Sequence, residues 1–281
     1  MSIIRVMSHN LWKHDKNSPA WEEKGISCSA HTRAPGFVRC YDETTPDIIG
    51  MQESSDVMLD EIMGGLAQKG MRYVALWGKD TPILYRKDTL EVIDYDYFLY
   101  SEEFPGHEGK FNNGKTKSWC LGVFKEKQSG KIFAFMTTHL WWMSNRPESP
   151  SYHPFSDEAR EYQISLAVAR LKEFCAKYNC PAILVGDFNA AYSSLALKHA
   201  LSEGMLHAHD IAEEYADQTR GFHRCTPSGY ECCYYEGGFP AAIDHILVTE
   251  GISVKRFDRH SPEYYYPLSD HSPVFADIEI K

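Results

Sequence analysis

Short apolar runs recur along the chain, and each gives way at one end to an acid, an amide or a histidine. S-I-I-R-V-M-S-H runs into Asn10, D-I-I-G-M-Q into Glu53, and I-F-A-F-M-T-T into His139. A-I-L-V-G runs into Asp187 and, two residues on, Asn189. Asp244 leads into H-I-L-V, and the pair Asp270-His271 leads into S-P-V-F-A-D-I. Runs of this length, rich in Ile, Val and Phe, are the signature of buried strands. Polar side chains at the tips of buried strands collect in one crevice. Six such tips point to a hydrolytic site organised around a divalent cation.

The same pattern predicts strands near 2–9, 47–52, 71–77, 82–86, 90–99, 117–126 and 131–138, with K-Q-S-G-K as a hairpin turn. Later strands are expected at A-I-L-V and over 243–248, 252–259 and 272–280. Helices are predicted near 30–43, closed by T-T-P, and near 55–69, ending at Gly70. A longer helix over 157–178 carries Ile164, Ala167, Val168 and Leu171 at helical spacing, and a short one follows near 193–203. No repeat, low-complexity tract or linker divides the chain, so one domain over 1–281 is expected. Many consecutive strands with few crossover helices exclude a doubly wound parallel sheet. The expected fold is α/β, with two mixed or antiparallel sheets packed face to face and helices outside. Strands buried on both faces explain why I-F-A-F-M and A-I-L-V do not alternate cleanly.

Composition narrows the partners. The 281 residues carry a net charge of −10 and a pI near 5.7, which argues against a general nucleic-acid binder. A nuclease with a local basic patch remains compatible. No stretch approaches the ~20 apolar residues of a membrane span, and M-S-I-I-R-V-M-S-H-N lacks the features of a signal peptide. A soluble, cytoplasmic protein is expected. The cysteines (Cys28, Cys40, Cys120, Cys175, Cys180, Cys225, Cys232 and Cys233) form no C-x-x-C pair, so reduced, packing thiols are expected.

Several tips carry recognisable chemistry. A carboxylate at a strand end, such as Glu53, suits a hard cation that takes oxygen ligands, and Asn10 can ligate a metal or contact a phosphate. In G-D-F-N-A, Asp187 can take a proton from water while Asn189 supports developing charge. In S-D-H-S-P-V, Asp270 is expected to face a metal and His271 a phosphate, with Asp244 orienting the ring. His139 is a second phosphate-facing imidazole, and Asp80 is the candidate acid to orient it. Tyr85 could donate to a phosphate oxygen or pack at a sheet edge. His207 and His209, in H-A-H-D, lack a third ligand at zinc spacing and read as ordinary histidines.

Taken in order, H-N-L-W, P-D-I-I-G-M-Q-E, P-I-L-Y-R-K-D, T-T-H-L, V-G-D-F-N-A, I-D-H-I-L-V and S-D-H-S-P-V resemble the endonuclease/exonuclease/phosphatase superfamily, the DNase I-like fold. The resemblance spans nearly the whole chain. It implies a four-layer α/β sandwich, Mg²⁺ or Mn²⁺, and hydrolysis of a phosphodiester or phosphomonoester by in-line attack of water. It also implies Glu53 as the main metal ligand with Asn10 and Asp270, and His139, Asp187, Asn189, Asp244 and His271 as the catalytic group. Where many members carry Arg, this chain reads K-T-K-S-W-C, so Lys115 or Lys117 takes that place. The 141–157 stretch is longer than in the simplest members. Trp141, Trp142 and Tyr152 there either wall the substrate or pack on the neighbouring helix. The acidic surface favours a small-molecule, sugar or lipid phosphate over a DNase-like nucleic-acid substrate. An inactive binding module and a zinc hydrolase are the competing readings.

Overall fold

A computed structural model describes residues 2–16, 19–23, 25, 27–215, 242–260, 262–265 and 267–281. In chain order the elements are β1 (Ile4–Asn10), α1 (Pro19–Glu23), α2 (Ala30–Thr44), β2 (Ile48–Gln52), α3 (Asp56–Gln68), β3 (Tyr73–Leu76), β4 (Ile83–Arg86), β5 (Leu90–Leu99), β6 (Ser118–Glu126) and β7 (Ile132–His139). They continue with α4 (Ser156–Tyr178), β8 (Ala182–Asp187), α5 (Leu195–Ser202), β9 (Leu206–His207), α6 (Ala208–Ile211), β10 (Glu214–Tyr215), β11 (Asp244–Val248), β12 (Ile252–Arg259) and β13 (Val274–Ile280). The long strands and helices fall where the apolar pattern put them. The short α1, β9, α6 and β10 carry too few residues to leave a periodic signal.

Among the described residues the strands form two sheets, ordered β10-β12-β13-β1-β2-β4-β3 and β5-β6-β7-β8-β11-β9. Side chains alternate across each strand. Val6, Ile48, Ile183 and Val185 therefore point between the sheets. Their neighbours Met7 and Ile49 point instead toward α2 and α3, and Leu184 toward α4 and α5. Both faces of each central strand are buried, which is why the runs read as continuous apolar sequence. The result is the four-layer α/β sandwich, helices outside two mixed sheets.

Strand direction builds the site. β1 and β2 run parallel, and so do β7 and β8, so each pair ends at the same edge of its sheet. β13 is antiparallel to β1 and β11 is antiparallel to β8, so those two strands begin where their neighbours end. Close approach at this end requires glycine. A Cβ on Gly186 would lie 2.1 Å from the Thr138 carbonyl oxygen, and one on Gly50 would lie 2.4 Å from the Val185 side chain across the sheets. Beneath the tips, Gln52 Nε2 donates to Thr137 Oγ1 (2.8 Å) and to the Gly50 carbonyl (3.0 Å), tying one sheet to the other through buried polar groups.

No disulfide joins Cys28, Cys40, Cys120, Cys175 and Cys180, as expected for packing thiols. Cys225, Cys232 and Cys233 lie outside the described residues. Among the described residues, no helix is long and apolar enough to cross a membrane.

Candidate active site

The Asp187 carboxylate is the meeting point of the strand tips. Register places Asp187 directly opposite His139 on one side and Asp244 on the other. Its Oδ2 accepts from Asn10 Nδ2 across the two sheets at 2.9 Å, and its Oδ1 accepts from the Asn189 backbone N–H at 2.9 Å. His139 Nε2 and His271 Nε2 stand 3.6 and 3.7 Å from Oδ2. Asp187, His139, His271 and Asn10 are all buried.

His271 is held from both sides of its peptide. Its Nδ1–H donates to Asp244 Oδ2 at 2.8 Å, which fixes the ring with Nε2 facing Asp187. Its backbone carbonyl accepts from the Tyr265 hydroxyl at 3.0 Å. That bond fixes a directional chain. A carbonyl can only accept, so Tyr265 donates forward and its oxygen accepts from His9 Nε2–H (2.5 Å). His9 Nδ1 is then the acceptor for the Tyr41 hydroxyl at 2.8 Å. A neutral His9 satisfies every member, and burial drives its pKa down to about 3. Arg33, buried against α2's apolar face, gathers the surrounding loops by donating to the Leu11 (2.7 Å), Trp12 (2.5 Å), Cys28 (2.8 Å) and Leu268 (2.5 Å) carbonyls.

Glu53 follows β2 with φ +52°, a left-handed conformation that is strained for a residue with a side chain. Burial opposes its ionisation, but its positive neighbours outweigh burial and hold the carboxyl well below the usual range. Those neighbours are Lys16, which pairs with Oε2, and Lys117. His139 also acts in that direction only when protonated. Burial and Lys117 hold its own pKa well below the ordinary imidazole value, so the two lysines supply the charge. For the same reason the His139–Asp187 approach is not an ion pair. Lys117, whose pKa burial depresses to about 8, donates from Nζ to His139 Nε2 at 2.5 Å.

The structure separates the sequence candidates. Asn10, His139, Asp187, Asn189, Asp244 and His271 come together at Asp187, with Asp270 Oδ1 3.8 Å from His271 Nε2. Of the two lysines, Lys117 enters the site and Lys115 is exposed, offering its backbone carbonyl to Lys79 (2.5 Å). Asp80 does not orient His139. Its carboxylate faces Lys13 Nζ at 3.8 Å, while the His139 ring faces Lys117 and Asp187. Tyr85 does not reach the site either. It pairs with Ile48 at the far end of β2 and packs 5.1 Å from the Phe124 ring between the sheets. Trp141 is a packing residue, its Nε1–H donating to Ser156 Oγ (3.1 Å) against Phe111 and α4. Its neighbour Trp142 is half exposed. His207 and His209 belong to a ring cluster with His245, whose Nδ1 lies 3.0 Å from His207 Nε2.

Asp187, Asp244 and His271 bring ligand atoms within 4.8 Å of one another. With its Nδ1–H given to Asp244, His271 turns Nε2 toward Asp187.

Residues 7–271 match the sequence profile of the Endonuclease/Exonuclease/phosphatase family. The chain belongs to that family. Solved structures share its fold over nearly their full length. One from Bacteroides vulgatus is 23% identical at a TM-score of 0.76, with 100% of both chains covered. A mannosyl-6-phosphatase of Bacteroides thetaiotaomicron is 22% identical at 0.73, covering 99% of this chain and 100% of its own. The catalytic domain of human Nocturnin is 18% identical at 0.68, covering 99% and 94%. In sequence, a probable CCR4-Not complex 3'-5'-exoribonuclease subunit of Encephalitozoon cuniculi is 24% identical over 159 residues, half of this chain and 28% of that protein. The chain therefore matches little more than a quarter of that relative's length. Endonuclease/Exonuclease/phosphatase family members hydrolyse phosphoester bonds and generally depend on a divalent metal.

Proposed function

We propose that this chain is a divalent-metal-dependent phosphoesterase in which Asp187 orients and deprotonates the attacking water. The observation that carries this reading is the convergence of Asn10, Asn189, His139 and His271 nitrogens on one buried carboxylate. Glu53, Asn10 and Asp270 would hold Mg²⁺ or Mn²⁺, and a bound ion would neutralise charge on the phosphoryl oxygens. Asp187 takes a proton from water positioned in line with the ester bond. The Asp244 carboxylate at Nδ1 favours the protonated ring, and in that form His271 donates from Nε2 to a non-bridging oxygen as charge builds. Lys117, close to His139, supplies the fixed positive charge that a neutral His139 lacks. Asn189 acts by positioning, since its side-chain amide donates to the Leu140 carbonyl at 3.0 Å while its backbone holds Asp187.

Trp142, exposed three residues past His139, would contact the non-reacting part of the substrate. The net charge of −10 favours a small-molecule, sugar or lipid phosphate over a nucleic acid. The test is hydrolysis of a panel of phosphate esters, from sugar phosphates and phosphoinositides to single-stranded nucleic acid, with Mg²⁺, Mn²⁺ or EDTA. Turnover that appears with metal and vanishes with EDTA is expected. EDTA-resistant turnover, or none on any ester, would remove the proposal.

A further inference from the structure

Cys175 and Cys180 stand at the junction of α4 and β8, away from the strand tips of the site. Helix α4 ends at Tyr178, and Asn179 follows with φ +46°, the left-handed turn that reverses a chain leaving a helix. The Cys175 carbonyl accepts from both the Asn179 and the Cys180 N–H, the second at 3.2 Å. A bond from the residue after the left-handed position back to the last turn brings those two side chains together, and the contact is ordinarily between apolar residues. Here both positions are cysteine. The direct backbone bond leaves their Cα atoms within the roughly 7 Å that a disulfide can span. Both thiols are half-buried, at the margin of the core beneath α4. Cys28, Cys40 and Cys120 are fully enclosed, and burial pushes the Cys40 and Cys120 thiols up, toward the inert form. The junction pair behaves differently. A hydrogen bond between the two side chains holds the Cys180 thiol below its ordinary value and raises Cys175 in turn, which makes Cys180 the readier thiolate.

We propose that Cys175 and Cys180 are a redox-modification site that forms a reversible disulfide across the α4–β8 junction. The oxidant is a small-molecule disulfide of the glutathione type. The Cys180 thiolate attacks one of its sulfurs, which forms a mixed disulfide and releases one glutathione thiolate. Cys175 then loses its proton and attacks the Cys180 sulfur, which forms the protein disulfide and releases the second glutathione thiolate. The protein pair gives up two electrons and two protons, and one glutathione disulfide becomes two thiols, so the exchange balances. The helix end already holds the loop between the two residues closed, so the new bond follows a path the backbone has taken. Cys180 leads into β8 at the end away from Asp187, so oxidation stiffens the junction and leaves the strand tips in place.

The test incubates the folded full chain with glutathione disulfide, blocks the remaining thiols with N-ethylmaleimide, digests with trypsin and reads the peptides by mass spectrometry. Trypsin cuts after Lys172, Lys177 and Lys198, so the two cysteines fall on separate peptides, 173–177 and 178–198. We expect these two peptides joined, lighter than their sum by two hydrogens, as the dominant cross-link, and parted again by dithiothreitol. Cys175→Ser removes the second attacking thiol and should trap glutathione on Cys180, while Cys180→Ser should leave Cys175 largely unmodified. A wild-type chain that shows no joined peptide, or that accumulates glutathione on either cysteine in place of the link, would overturn the proposal. So would Cys175 or Cys180 pairing with other cysteines as readily as with each other. Thermal scans give a second reading. The oxidised chain should melt a few degrees above the reduced one. A lower Tm on oxidation would mean that the bond forms only by distorting the junction, which contradicts a pair set in place by the helix end.

Discussion

Replacing Tyr265 by Phe removes one oxygen from a fully buried chain of hydrogen bonds. The hydroxyl donates to the His271 carbonyl and accepts from His9 Nε2–H, so its loss takes a donor from one group and an acceptor from the other. The ring itself stays packed beside Phe37 and His9, so little cavity forms. Each buried polar group that loses its partner costs about 1–3 kcal/mol, which gives roughly 2–5 kcal/mol for the substitution. Domains of this size lose about 2–4 °C of Tm per kcal/mol, so a drop on the order of 5–15 °C is expected by calorimetric scan. The double variant His9→Phe, Tyr265→Phe separates this account from simple loss of packing. Once His9 is gone there is no imidazole N–H left to orphan, so the two substitutions should be less than additive by about 1 kcal/mol or more. Strict additivity, or a Tyr265→Phe Tm within 2 °C of the wild type, would refute the directional chain.

Further outcomes follow from the same geometry. Asp244→Asn replaces the charged acceptor of His271 Nδ1–H and should lower kcat about 10–100-fold with little change in Tm; kcat within twofold of wild type would contradict it. Burial lowers the His9 and His245 pKa values to about 3 and about 4. The unfolded chain, with imidazoles near 6.5, binds more protons between those values, so this stability is complete above pH 6.5 and is lost as pH falls. Urea denaturation should show a loss on the order of 1 kcal/mol per pH unit for each histidine between pH 6 and 4.5, and a flat profile there would count against buried neutral rings. Trp142→Ala should raise KM for a bulky natural ester and leave kcat unchanged; an unchanged KM would place the ring outside the substrate path.

The sequence revealed the fold through its longest signals. Runs such as A-I-L-V and I-F-A-F-M are apolar on both sides because one side faces the other sheet and the next faces a helix, and that doubling is visible without coordinates. The tips were legible for the same reason: polar residues ending such runs have few places to go. Register was not legible, and register decides which tips touch. Tyr85 sits on a correctly expected strand, yet antiparallel pairing carries it to the end away from Glu53. Asp80 lies close to the site in sequence logic and in space, but lysines from two other loops claim its neighbourhood. Arg33 carries a visible signal, an arginine among Ala30, Ala34, Phe37 and Tyr41 on the buried face of a helix. His9 is a buried structural residue. Its link to His271 depends on Tyr41 and Tyr265, which no local pattern joins to it. Lys16 leaves no periodic trace because it acts from a loop.

The central claim is that Asp187 activates water for phosphoester hydrolysis, and Asp187→Asn tests it most directly. The amide keeps the size of the side chain and its one oxygen can still accept from the Asn189 backbone, while its NH2 replaces the oxygen that accepts from Asn10, so the variant should fold with a loss of about 1–3 kcal/mol. With Mg²⁺ and a saturating phosphate ester, kcat should fall by about 10²–10⁴-fold, with KM little changed. A folded Asp187→Asn protein that turns over within threefold of wild type would contradict the account.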